Sequence, residues 1–393
     1  MKSIDKIPTG KIGRTSELVK TGVKIGGNYL KYYGKKAFNK DLTRDELDKD
    51  NAEDIYDGLK NLKGSALKVA QMLSMEKSLL PSAYVEKFSL AQFSVPPLSA
   101  PLVRKTFKNY QGAYPEDLYD SFTPNSVNAA SIGQVHQATK DGKKLAVKIQ
   151  YPGVADSISS DLAMVKPVAT KMFNLQGKDS EKYFKEVEGK LLEETDYKLE
   201  VEQSKFISEA CAKIENLRFP KYYEELSSER IITMDWMQGE HLSDFVKKDF
   251  SKEEGDQLGQ ALWDFYMFQM HELKAVHADP HPGNFLIDED QNLIAIDFGC
   301  IKKVPEEFYK PYFELAVPEN INNRKFFLAK LSELEILRPD DTEKEIDYFS
   351  NLFYEMLSLF TSPFHGETFD FSDESFWCKI TELSEKYSKD TEL

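Results

Sequence analysis

Asp279 and Asn284 stand five residues apart in the stretch HADPHPGNFLI, residues 277–287, and Asp297-Phe298-Gly299 follows soon after. A carboxylate, then an amide oxygen, then a second carboxylate behind an apolar run, LIAI, is a set suited to phosphoryl transfer. The first carboxylate can take or orient a hydroxyl proton, and the other two oxygens can hold a divalent cation against phosphates. His277 and His281 also permit a metal cage with Asp279. Yet Pro280 and Pro282 stiffen the loop, and a zinc site needs three or four such ligands. A third reading is an ordinary turn with a capping Asp.

Phosphoryl transfer needs a cation upstream to neutralise phosphate charge. Lys148 fits, at the end of the β-prone run LAVK. Protein kinases combine these parts as a strand lysine, D-x-x-x-x-N and D-F-G. Their glycine-rich loop, G-x-G-x-x-G-x-V, falls here on Asn128, Ala130, Gly133 and Val135, so only the last Gly and the Val survive. Without the first two glycines the loop has fewer left-handed options for wrapping phosphates. Farther on, IITMDWMQGEHL reads as a strand and hinge. Met234 is the gatekeeper candidate, and Asp235-Trp236-Met237 offer backbone groups to a purine edge.

Taken together, NAASIGQVHQA, LAVKIQYPGV, ETDYKLE and HADPHPGNFL…IDFG resemble the UbiB-like atypical kinases, a family linked to prenylquinone biosynthesis. The resemblance runs from about residue 55 to 305, and more faintly at IPTGKIGR. It implies a kinase-like bilobal α+β fold binding ATP or ADP with Mg2+. Asp279, Lys148 and Asp297 would be catalytic, and Asn284 and Asp297 metal-holding. Ala129, Ala130, Ser131, Gly133, Val135, Lys148, Met234, Asp235 and Met237 would line the nucleotide. The family's Lys-x-Gly-Gln element appears as Lys68-Val69-Ala70-Gln71, with Ala70 in place of Gly, and Asn128 stands where an Ala is usual. The resemblance implies that Lys68 and Gln71 cover the mouth of the site. It further implies that Glu194 pairs with Lys148, and that Asp196, with Glu200 near it, steadies the Lys68–Gln71 element.

The elements needed to position these residues are legible in outline. Apolar spacing gives helices over 52–93, broken near Pro81, and over part of 100–124. Two β-prone runs flank Asp141-Gly142, a hairpin signal. Helical stretches cover 157–174 and 178–212, a strand Arg230–Met234, a helix 252–275 and a strand Asn292–Ile296. Beyond about 305 the chain reads as helical. The expected organisation is a basic-then-acidic segment at 1–50 and a helical extension at 51–115 bearing Lys68 and Gln71. A kinase-like lobe with inserted helices at 116–235 and a mostly helical lobe at 236–393 complete it.

Charge limits the partners. The 393 residues carry a net −15, which excludes nucleic acid as the main partner. Residues 1–40 nevertheless hold ten Lys/Arg against Asp5 and Glu17. That segment reads either as a solvated basic tail or as a helix near 15–37 touching an anionic membrane, with Gly22, Gly26 and Gly27 weakening the helix. Three scattered cysteines, no secretory apolar region and no run of 18 apolar residues point to the cytoplasm, with membrane contact at most peripheral. The implied acceptor is a prenylphenol or lipid small molecule. An aminoglycoside- or choline-type phosphotransferase shares the HADPHPGN pattern but not the alanine-rich loop or Lys68-x-x-Gln71. A non-enzymatic scaffold has no need of Lys148, Asp279, Asn284 and Asp297 together.

Overall fold

The computed structural model describes residues 11–38, 45–62, 82–89, 97–129, 132–172, 178–278 and 280–388. Asp279, Lys68, Gln71, Ala130 and Ser131 lie outside the described residues, as does the side chain of Ala129. The fold is mixed α+β and kinase-like, as the sequence implies, and it divides into two units. The first holds the chain through Gln269 together with His277–Ile301; the second holds Met270–Val276 and Lys302–Leu393.

The first unit opens with α1 (Lys11–Phe38) and α2 (Asp45–Leu62). The glycines of α1 do not break it, because one face of the helix is pinned to an acidic partner. Lys24 pairs with Asp54, Lys31 with Asp50 and Lys35 with Glu46, and Asn28 donates to Asn51 and Asp54. The solvated-tail reading is therefore replaced by a docked helix over these residues. Next come α3 (Ser82–Ser89) and α4 (Ala100–Gln111), the latter ended by Gly112 at φ 73°. A five-stranded sheet follows: β1 (Ser121–Phe122), β2 (Asn128–Ala129), β3 (Gly133–Lys140), β4 (Lys143–Gln150) and, after the inserted helices, β6 (Ile231–Asp235). Its order is β1-β3-β4-β6, with β2 paired to β3. Asp141 (φ 50°) and Gly142 (φ 75°) both take left-handed backbone, the tight turn that the Asp-Gly pair predicts.

The insert is α5 (Val154–Met172), α6 (Lys178–Glu194) and α7 (Tyr197–Ala210). The helix expected over 178–212 is thus two helices, broken at Thr195-Asp196. A second sheet joins β5 (Leu217–Arg218), β7 (Glu240–His241), β8 (Phe285–Ile287) and β9 (Leu293–Ala295) in the order β5-β9-β8-β7. Helix α8 (Lys252–Phe268) starts at a capping box, Ser251 with Glu254, and passes into a π-helical turn at Gln269–Leu273. The helix expected over 252–275 therefore ends early. One apolar core runs from Tyr56 and Leu59 of α2 through Phe107 of α4 to Val147 and Ile149 of β4.

The second unit is helical: α9 (Glu306–Leu315), α10 (Arg324–Glu333), α11 (Glu343–Phe360) and α12 (Glu374–Ser388). It has its own core around Leu315, Phe327, Leu331 and Leu357.

Candidate active site

Lys148 sits in the middle of β4, opposite Val135 of β3 and Ile232 of β6. Its neighbours on both sides fix the backbone, so the ammonium has one direction to go. It lies 2.7 Å from Glu200 Oε1 and 3.1 Å from Asp297 Oδ2. Tyr197 lies alongside, its ring centroid 5.2 Å from the ammonium. The Lys148 side chain is 9% exposed. Burial works against its charge, but the two carboxylates outweigh that and hold its pKa well above the ordinary lysine value.

The carboxylate that meets Lys148 is Glu200, not Glu194. The reason is the break between α6 and α7. The Thr195 carbonyl accepts from Gln150 Nε2 at 3.0 Å and from Arg230 Nη1 at 2.7 Å, which nails the break to the sheet. Asp196 then restarts the helix as its N-cap, accepting from the Leu199 amide at 3.1 Å. One turn later the inward positions are Tyr197, Glu200, Val201 and Ser204, a 3–4 spacing that buries Glu200. Glu194 ends the preceding helix and is half-buried; Asp196 is exposed. A reading of Asp196 as a helix cap places Glu200 on the inner face from sequence alone. Burial pushes the Glu200 carboxyl up to about 7, against the pull of Lys148.

Asp297 and Asn284 are brought together by a hairpin. Strand β8 pairs antiparallel with β9 so that Phe285 faces Ala295, and the Ile296 amide donates to the Asn284 carbonyl at 3.0 Å. Asn284 is therefore opposite the residue that precedes Asp297. The Ala278 amide donates to the Cys300 carbonyl at 2.9 Å. Both flanks of the loop carrying Asp279 are thus tied to the Asp297 segment. Asp297 Oδ1 accepts from the Gly299 amide at 3.0 Å. Burial raises the pKa of this carboxyl, but Lys148 and that amide overcome it and leave the pKa below the ordinary aspartate value.

Phe298 is fully buried, ringed by Phe219, Phe265 and His277 at centroid distances of 5.9, 6.3 and 5.5 Å. This aromatic stack turns Phe298 inward and Asp297 toward Lys148. His277 is buried, and its amide donates to Gln269 Oε1 at 2.8 Å. His281 Nδ1 accepts from the Gly283 amide at 3.0 Å. The two histidines thus serve packing and a local turn. No group of three His, Cys, Asp or Glu fit to hold a metal occurs among the described residues, so the cage reading gains no ligand set there.

The roof of the site is β3 and β4. Strand β2 pairs Asn128 with Val135 and Ala129 with Gln134, which lays these two residues along β3. Gly133 is needed for packing: a Cβ there would stand 2.5 Å from the Ile149 carbonyl oxygen and 2.9 Å from the Tyr197 hydroxyl. Val135 shares the face of Lys148. Ala146, two residues before Lys148 and opposite Met234, shares it too. Ala146 lies outside the kinase-like motifs, although alternation along β4 points to it. At the hinge, the Asp235 amide donates to the Lys221 carbonyl and the Trp236 amide to the Lys144 carbonyl. Neither N–H is available to a ligand. The Met237 amide makes no hydrogen bond among the described residues and is the remaining donor.

Residues 90–326 match the ABC1 atypical kinase-like domain. Probable serine/threonine-protein kinase abkA of Dictyostelium discoideum is 29% identical over 394 residues, covering 92% of this chain and 70% of that protein. An aarF domain-containing protein kinase of Arabidopsis thaliana, chloroplastic, is 29% identical over 333 residues, covering 83% and 47%. Atypical kinase COQ8B, mitochondrial, of Danio rerio is 28% identical over 390 residues, covering 96% and 62%. The chain thus spans from about half to 70% of the length of these relatives. Among solved structures, the complex of Rv3197 with erythromycin from Mycobacterium tuberculosis aligns with a TM-score of 0.56 and 26% identity, over 87% of this chain and 86% of that one.

Proposed function

This chain belongs to the ABC1 atypical kinase-like family, and on that premise we propose that it is a Mg2+-dependent ATP phosphotransferase or ATPase of the UbiB type. The observation that carries the reading is the meeting of Lys148 with Glu200 and Asp297, which are 52 and 149 positions away in sequence. A buried cation between two carboxylates is an expensive arrangement for packing alone. It suits a site where the cation must later face phosphate oxygens.

The donors fit magnesium. Asn284 and Asp297 bring hard oxygen ligands to one end of a hairpin, and nucleotide phosphates can complete the shell. Bound there, the ion supplies neutralisation of phosphate charge. The chain's own groups do the rest. Lys148 steadies the α- and β-phosphates while Glu200 holds its ammonium in place. Val135 and Ala146 cover the base, and the Met237 amide donates to its edge. Asp279 orients the acceptor hydroxyl or water. A melting experiment tests this: Mg-ATP or Mg-ADP raises the melting temperature, and EDTA removes most of the rise. Identical melting curves with and without nucleotide and Mg2+ count against the reading.

The acceptor side is read from the UbiB resemblance, which points to isoprenoid-quinone precursors or lipid. Peripheral contact with an anionic membrane is supported by α1. Val23, Leu30 and Tyr33 are 71%, 78% and 62% exposed on it and follow helical spacing. Among the described residues no helix is long and apolar enough to cross a membrane. Vesicles rich in anionic lipid are expected to co-sediment the protein at low salt and release it at high salt. Equal binding to neutral vesicles removes the anionic preference, and binding to neither removes the membrane from the account.

A further inference from the structure

Two side chains of the NAASIGQVHQA stretch have no part in the site as described. Gln134 and His136 alternate with Gly133 and Val135 along β3, so they face the opposite side of the sheet. Both are buried, 1% and 0% exposed. A polar pair so deep needs a full set of partners.

The partners form a single chain. Gln134 Oε1 lies 2.6 Å from the Leu98 amide nitrogen. Gln134 Nε2 lies 2.7 Å from His136 Nε2. His136 Nδ1 lies 2.7 Å from the Thr123 carbonyl oxygen. The direction of every bond follows from its ends. The Leu98 amide can only donate, so Gln134 must turn its oxygen there and its NH2 toward His136. The Thr123 carbonyl can only accept, so His136 Nδ1 carries the hydrogen. His136 Nε2 must therefore accept, and the ring is neutral.

Protonation breaks this chain wherever it is repaired. A hydrogen on His136 Nε2 confronts the Gln134 NH2. Rotating the Gln134 amide relieves that contact and sets its NH2 against the Leu98 amide. No arrangement of these four groups satisfies a charged ring.

We propose that Gln134 and His136 are a pH-sensitive latch that ties Leu98, just before α4, to the strand carrying Gly133 and Val135. The latch is closed while His136 is neutral and opens when it is protonated. The two residues act as positioning residues, through β3, on the nucleotide roof.

The surroundings agree. His136 stacks on Phe122, with centroids 4.9 Å apart and planes at 18°. The nearest titratable neighbour in that aromatic group is Tyr119, which shares a hydrogen bond with Thr233 and whose phenol is pushed up to about 12 by burial, so it stays neutral. Among the described residues no carboxylate or ammonium acts on the ring; burial lowers its pKa, and the Thr123 bond only partly offsets that. The folded state thus favours neutral His136. Its contribution to stability is present above the ordinary histidine pKa of 6.5 and is lost as pH falls below it.

The test uses the full chain with labelled histidine and amide hydrogen exchange. Imidazole nitrogen shifts should report the Nδ1–H tautomer at about pH 7.5. Protection at Leu98, corrected for intrinsic exchange, should fall by about tenfold or more between about pH 7.5 and about pH 5.5. Gln134→Glu offers a carboxylate that accepts from both the Leu98 amide and a charged ring. It should raise the His136 titration and keep Leu98 protected at the lower pH. An Nε2–H tautomer, or Leu98 protection that does not change with pH in the wild-type chain, overturns the proposal. The tautomer is read in the wild-type protein, so the test stands even if Gln134→Glu folds poorly. Affinity for Mg-ADP should weaken in parallel with Leu98 protection. That arm rests on the proposed nucleotide site: failure to bind Mg-ADP at any pH sinks that site and leaves the latch standing. Binding that ignores the loss of Leu98 protection removes the coupling to the roof.

Discussion

Asp297→Asn is expected to lower Mg2+-dependent ATP turnover by about 10²-fold or more while the melting temperature stays near the wild-type value. The two halves of this expectation have separate causes. Turnover falls because an amide oxygen cannot match a carboxylate in holding a divalent cation against phosphate. The fold persists because Asn keeps an oxygen for the Gly299 amide, which the Asp297 carboxylate accepts at 3.0 Å. Lys148 also keeps its closer partner, Glu200, at 2.7 Å. Steady-state hydrolysis and a thermal melt on one purified sample check both halves. Undiminished turnover takes Asp297 out of the chemistry.

Lys148→Met should be the most damaging single change for the site. The Met stem fills much of the same space without the charge, and it leaves Glu200 and Asp297 facing each other without a cation. Removing one partner from a buried ion pair costs about 3–5 kcal/mol. Nucleotide-dependent stabilisation should disappear with it. The pH dependence has a definite sign. Glu200 is raised from an ordinary 4.5 to about 7, so the folded state holds its proton longer than the unfolded chain does. Its ionisation therefore costs stability as pH rises from about 4.5 to about 7, and no more beyond that. Without Lys148, the attraction that restrains this shift is gone and the costly window extends upward. The gap in melting temperature between wild type and Lys148→Met should widen from about pH 5.5 to about pH 8. Adding Glu200→Gln should narrow it again, because no carboxylate is left to strand. A gap that is flat in pH, with no rescue by Glu200→Gln, contradicts the pairing.

Much of the site was legible because its residues sit in short local patterns. The Asp141-Gly142 turn fixes the pairing of β3 with β4, and that register alone places Lys148 beside Val135. The spacing from Asn284 to Asp297 is the length of one hairpin, which returns the chain to the same end of β8 and β9. The rest depends on contacts distant in sequence, which local patterns do not carry. Glu194 and Glu200 lie in one apolar-periodic run. Gln150 and Arg230, gripping the Thr195 carbonyl, break that run, and the Asp196 cap restarts the helix with Glu200 inward. The basic segment near the start reads as a weak helix by composition. Its lysines become helix-stabilising only against Asp50, Asp54 and Glu46 of α2. Helix α8 gives way to a π-turn at Gln269, whose side-chain oxygen accepts from the His277 amide, a link that periodicity does not reveal. The roles expected for Lys68, Gln71, Ala130, Ser131 and Asp279 fall outside the described residues.

A crystal structure with Mg2+ and a non-hydrolysable ATP analogue tests the convergence of these groups most directly. The account predicts the Lys148 ammonium on the α- and β-phosphate oxygens with Glu200 still bonded behind it. It also predicts the cation held by Asn284 and Asp297, and the purine edge against the Met237 amide. A nucleotide seated away from β3 and β4, with Lys148 still locked between Glu200 and Asp297, contradicts it.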